Sequence, residues 1–129
     1  MAISNKENSR IMLEAAERDL RAISSMLNKI DFAEEIFGFH AQQAVEKSVK
    51  AWLSLLNIEY PRTHDLSFLF ALLIEADGSA AAFKNLTEFN PYAVQFRYET
   101  YDDMDEPLDR VETCSRICKL FHKVKTLVK

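Results

Sequence analysis

Two glycines and three prolines are all that these 129 residues contain. A sheet of short strands needs a turn every few residues, and glycine and proline supply most of the backbone angles that such turns demand. A chain this poor in both is driven towards long helices joined by few loops, so the expected fold class is all-α. With 48% hydrophobic residues the chain can cover one core of ordinary size without help from disulfides or metals. Residues 1–129 are read as a single domain, with no internal repeat, low-complexity tract or linker.

Hydrophobic spacing then divides the chain into helices. Leu13, Ala16, Leu20, Ile23, Leu27 and Ile30 recur at alternating steps of three and four, which draws one apolar stripe along a first helix. Glu14 with Arg18, and Glu17 with Arg21, add acid-first pairs four apart on its other side. After a polar break at Asn28 to Asp31, a second helix is predicted from Phe32 to Asn57. On a wheel its apolar residues, among them Phe37, Ala41, Val45, Val49 and Trp52, fill an arc of about 200°. An arc that wide belongs to a central helix with several neighbours. His40, Gln43, Glu46, Lys47, Lys50, Ser54 and Asn57 fill the remaining third, as either a working surface or a face turned to water. Ile36 and Phe39 interrupt that polar side and suggest a patch covered by a partner subunit.

Asn57 can adopt the left-handed conformation that stops a helix, and Pro61 prevents continuation. Thr63 or Asp65 is expected to cap a third helix running from Ser67 to Ala76, and Asp77-Gly78-Ser79 reads as a turn with Ser79 as the next N-cap. A short helix from Ala80 to Leu86 follows, then an aromatic segment without clear period. Asp105 with Pro107 in the first turn would open a last helix. Its core stripe is predicted as Leu108, Val111, Cys114, Cys118, Phe121, Val124 or Lys125, and Val128. The sum is an up-and-down bundle of four to five helices.

Composition excludes several functions. A formal charge of −4 argues against broad, salt-driven capture of nucleic acid. Cys114 and Cys118, four apart with no matching pair elsewhere, read as buried thiols, so no metal and no cofactor is expected. No apolar run reaches the length of a membrane span and the amino terminus lacks a signal-peptide pattern, which points to the cytoplasm. Inward Glu-x-x-His pairs, a phosphate-cradling glycine loop and a nucleophile elbow are all missing.

Four segments together carry a likeness. Glu17-Arg18-Asp19-Leu20 lies in the first helix and Phe39-His40-Ala41-Gln42-Gln43-Ala44-Val45-Glu46-Lys47 in the second. Pro61-Arg62-Thr63-His64-Asp65-Leu66 precedes the third, and Asn90-Pro91-Tyr92 is followed by Arg97-Tyr98. In this combination the chain closely resembles the HEPN domain family, from about Glu17 to Val128. The resemblance implies a helical bundle that forms a homodimer and often works beside a small nucleotidyltransferase of the MNT type, in a toxin–antitoxin-like module. It also implies that many relatives are metal-independent ribonucleases with an Arg-x4–6-His motif at the dimer cleft.

Arg116 and His122 satisfy that spacing. Residues six apart, however, lie about 120° from each other around a helix, so they diverge within one chain. The alternative site gathers His40, Gln43 and Lys47 from one helical line, His64 and Asp65 from the connector, and Arg97 with Tyr98 from the aromatic segment. Cations there would meet phosphate oxygens, glutamine a base edge, and Tyr98 a base face. The leading expectation is therefore a non-catalytic homodimeric subunit that binds a nucleotide, a partner nucleotidyltransferase, or both. A metal-independent ribonuclease toxin using Arg116 and His122 on RNA is the competing one.

Overall fold

The computed structural model describes residues 3–93 and 107–128. Among them there are only helices: α1 Asn5–Ser25, α2 Glu34–Leu55, α3 Leu66–Ala76, a 3₁₀ segment η1 Gly78–Tyr92, and α4 Arg110–Leu127. Helices α1 and α2 form a long hairpin, α4 lies across both, and α3 with η1 closes the other side of α2.

Helix α1 starts at Ser4, whose hydroxyl accepts the Glu7 N–H. Its apolar stripe holds through Leu13, Ala16 and Ile23, and then fails. Leu27 and Ile30 are exposed and lie outside the helix. The cause is local: the Asn28 side chain accepts the Ile30 N–H and donates to Asp31, holding the chain in a turn before the helix can continue.

Helix α2 is central, as its wide apolar arc predicts. Phe37, Val45, Val49, Trp52 and Leu53 are fully buried, each contributing about 1.5–3 kcal/mol on burial. Gly38 is the one glycine of α2, and a side chain would not fit there. A Cβ there would overlap the ring of Tyr92, which closes over the helix backbone from the end of η1. Asn57, at φ 60°, ends the helical course as expected.

Asp65 caps α3 by accepting the Ser67 and Phe68 N–H groups. Asn90 from η1 reaches the same corner, accepting the Leu66 N–H and donating to Asp65 and Ser67. The next cap is Asp77 rather than Ser79. Hydrogen bonds from the Ser79 hydroxyl and N–H hold the Asp77 carboxyl below the ordinary aspartate range. The short helix expected over Ala80–Leu86 is instead a longer run of 3₁₀ turns that takes in Asn90, Pro91 and Tyr92.

The last helix departs furthest from its predicted phase. It is capped by Asp109, begins at Arg110, and leaves Pro107 outside; Asp105 lies outside the described residues. Its buried face is Arg110, Thr113, Ile117, Leu120, Phe121 and Val124, while Val111 is 69% exposed. Cys114 and Cys118 are half-buried at the margin. The rotation follows from Arg110. Its guanidinium is buried over the Phe37 ring and donates to the carbonyls of Met26, Asn28 and Phe32, with Glu34 at 3.4 Å. One charged fork thus satisfies the carbonyls of the α1–α2 turn, which the apolar stripe of α4 could not do.

Replacing Arg110 by Ala should lower stability by about 3 kcal/mol in urea unfolding, because buried carbonyls and Glu34 lose their donor. Arg110→Lys should recover only part, since a single ammonium cannot span the fork. Gly38→Ala gains about 1 kcal/mol of helix propensity but drives Tyr92 out of its seat. Overpacking wins, and a net loss of about 2 kcal/mol is expected in the same measurement.

Candidate functional site

The polar residues of α2 are not a face turned to water. Gln42 is fully buried, and Glu46, Lys50 and Ser54 are nearly so. Burial without partners would cost several kcal/mol for a charge, and the charged and imidazole side chains along α2 are accordingly held in two networks, each built on a buried carboxylate.

The first network centres on Glu46. Its Oε1 lies 2.9 Å from His64 Nδ1 and accepts from Gln42 Nε2 at 3.0 Å, with Gln43 Nε2 further away at 3.5 Å. Its Oε2 accepts from Lys50 Nζ at 3.0 Å. Gln42 also donates to the carbonyl of His64, and Gln43 donates to Gln42 Oε1 at 2.7 Å. The His64 side chain is nonetheless 65% exposed. A buried carboxylate therefore pins one nitrogen of a ring whose body stands in solvent. Lys50 lies over the Tyr60 ring, and Asn8 of α1 donates to Tyr60 and Ser54, which ties this end of α2 to both neighbours.

The second network centres on Asp19 of α1, 8% exposed. Its carboxylate takes His40 Nδ1 at 2.9 Å on one oxygen and Lys47 Nζ at 2.6 Å on the other. His40 and Lys47 are each about a quarter exposed, and the His40 ring meets Phe39 edge-on at 5.3 Å. Seven residues place His40 and Lys47 about 10 Å apart along one side of α2. Gln43 lies on the same side between them.

Of the residues singled out in the sequence, His40, Gln43, Lys47 and His64 are brought to α2 and its margin. Asp65 is at the same corner but committed to the cap of α3 and to Asn90. Arg97 and Tyr98 lie outside the described residues. Ile36 is exposed and Phe39 half-buried on the same strip. Arg116 and His122 face different surroundings. Arg116 donates to Glu88 at 2.9 Å, stacks over Phe89, and lines a cleft between η1 and α4. His122 is exposed and lines a groove of about 650 Å³ between α1 and α4.

Asp19 was not among the expected site residues, although a signal was available. It sits three residues after Ala16 and four before Ile23, on the buried line of α1, where a carboxylate needs cations. Gln42 carries the same kind of signal, a polar residue among the apolar positions of α2. Among the described residues no three His, Cys, Asp or Glu side chains converge on a metal position, and no helix is long and apolar enough to cross a membrane.

The α1–α4 groove also holds both free thiols, Cys114 and Cys118. Burial pushes the Cys114 thiol up, against a hydrogen bond from Ser24. A raised thiol holds less thiolate at neutral pH. Iodoacetamide should therefore modify Cys114 more slowly than an unhindered cysteine peptide at pH 7, and the difference should narrow as the pH is raised; peptide mass mapping of a time course measures both.

Comparison with known proteins matches no curated protein and no solved structure. A family profile for the HEPN domain matches residues 9–129. The match takes in both carboxylate networks, the Asp65 corner and α4, and by this span the chain belongs to the HEPN domain family.

Proposed function

We propose that this chain is a homodimeric binding subunit: it engages a nucleotide along the polar strip of α2 and docks a partner nucleotidyltransferase of the MNT type, as in a toxin–antitoxin-like module. The observation that carries the reading is the pair of imidazoles, His40 and His64, each held through Nδ1 by a buried carboxylate, the His64 ring largely exposed and His40 about a quarter so, with Lys47 on the His40 line of α2. Side chains fixed in place in this way suit a nucleotide ligand, because little side-chain freedom is lost when it arrives.

The competing reading is a ribonuclease that uses Arg116 and His122 in a composite cleft of two protomers. Its arginine is engaged by Glu88 and its histidine opens on another groove, so acid–base and phosphate-holding roles do not meet within a protomer. Ile36 and Phe39 on the α2 strip support self-association next to the nucleotide position, since apolar groups beside a polar strip are covered more readily by a second bundle than by solvent.

Calorimetric titration of the full chain with ATP, ADP and AMP tests the central claim. Binding is expected, with affinity reduced about tenfold by His64→Gln and by His40→Gln, the equivalent of about 1.4 kcal/mol for one charge-assisted hydrogen bond. Unchanged affinity in both variants, or no heat with any nucleotide, would overturn it. Cleavage of structured RNA in EDTA that disappears in His122→Ala would instead establish the nuclease.

A further inference from the structure

The two free, half-buried cysteines of α4 take no part in either carboxylate network. Cys114 and Cys118 stand four residues apart on the helix, so they share one side of it with their Cβ atoms about 5–6 Å apart. Both line the α1–α4 groove, together with the apolar side chains of Leu20 and Phe121. Burial pushes the Cys114 thiol up, Ser24 opposes that, and Cys118 adds to it, which puts the two sulfurs within electrostatic reach of each other.

That spacing decides what the pair can do. A disulfide needs Cβ atoms at about 3.5–4.5 Å, so the two sulfurs cannot join while α4 stays helical. Zinc and iron–sulfur centres ask for four ligands, and among the described residues no third His, Cys, Asp or Glu side chain converges on this pair. His122 lines the same groove but lies about 80° round the helix from Cys114. A metal–thiolate bond is about 2.3 Å long, so two of them in line span about 4.6 Å, close to the separation that α4 itself imposes. A soft monovalent ion is satisfied by two ligands in line, and copper(I) prefers thiolates.

We infer that Cys114 and Cys118 form a two-coordinate site for copper(I), filled through the α1–α4 groove by exchange from a small thiol complex. Each protein thiol hands its proton to a departing thiolate, two copper–sulfur bonds form as two break, and copper stays monovalent. The filled site carries a charge of −1, as the donor complex does. Lys125 lines the same groove, lies over the Phe121 ring and has no carboxylate partner among the described residues, so it is the cation available to offset that charge. At about 650 Å³ the groove has room for the carrier thiol during exchange, and its apolar flank keeps water from the bonded sulfurs.

Anaerobic titration of the full chain with copper(I), in competition with the chromogenic chelator bicinchoninate, reads stoichiometry and affinity. One ion per chain is expected. Cys114→Ser and Cys118→Ser should each weaken binding at least about 100-fold, since losing a ligand costs a metal site no less than losing an outer-shell partner. His122→Gln should bind as the parent does. A second measurement does not depend on any variant folding: X-ray absorption of the parent chain with one equivalent of copper(I) should give two sulfur neighbours and no nitrogen. Copper that stays with the chelator, one ion shared by two chains, a nitrogen neighbour, or equal affinity in the parent and both serine variants would each overturn the inference.

Discussion

Desolvation of α2 governs the rest of this molecule. Fourteen of its 22 residues are buried, and they include Gln42, Glu46, Ser48, Lys50 and Ser54 as well as the apolar core. A helix surrounded on that scale cannot leave its charges to water. Glu46 is therefore given Lys50, His64 and the Gln42 amide, while Asp19 arrives from α1 to take His40 and Lys47. Such pairs add little net stability over an apolar core of the same shape, but losing one partner strands the other. Their consequence is specificity of arrangement: they set the register between α1 and α2 and the position of the connector before α3.

The same solution recurs at the opposite end of the hairpin. There the buried guanidinium of Arg110 collects carbonyls of the α1–α2 turn and comes within reach of Glu34. A polar group brought in from a distant element satisfies backbone that the turn cannot satisfy for itself. This sets the rotation of α4, and with it the different outlooks of Arg116 and His122. The distribution of imidazole and cationic side chains is thus a by-product of how buried polar atoms are satisfied. At α2 that distribution seats two imidazoles against buried carboxylates; on α4 it separates the arginine from the histidine.

Much of the architecture was legible in residue order. The step of three and four through Leu13, Ala16 and Ile23, the breadth of the apolar arc on α2, the stop at Asn57 and the Asp65 cap all depend on contacts within a few residues, which sequence displays directly. The failures share a cause. Leu27 and Ile30 continue the stripe on paper, yet Asn28 organises a turn beneath them. Val111, Cys114 and Cys118 look like a core face until Arg110 occupies the interior. Helical spacing reports which side chains share a side, not which side a neighbour covers.

From its sequence alone the chain is helical, because scarce turn residues and 3.6-residue periodicity leave no other regular structure open to it. The family likeness is likewise written in short motifs. The pairing of Asp19 with His40 and Lys47, of Glu46 with His64, and of Arg110 with the hairpin turn was decided by tertiary packing, since these partners are 18 to 84 residues apart. Whether a polar residue is a solvated surface group or one fixed by a buried carboxylate depends on the dielectric around it, and that exists only once the helices have closed together.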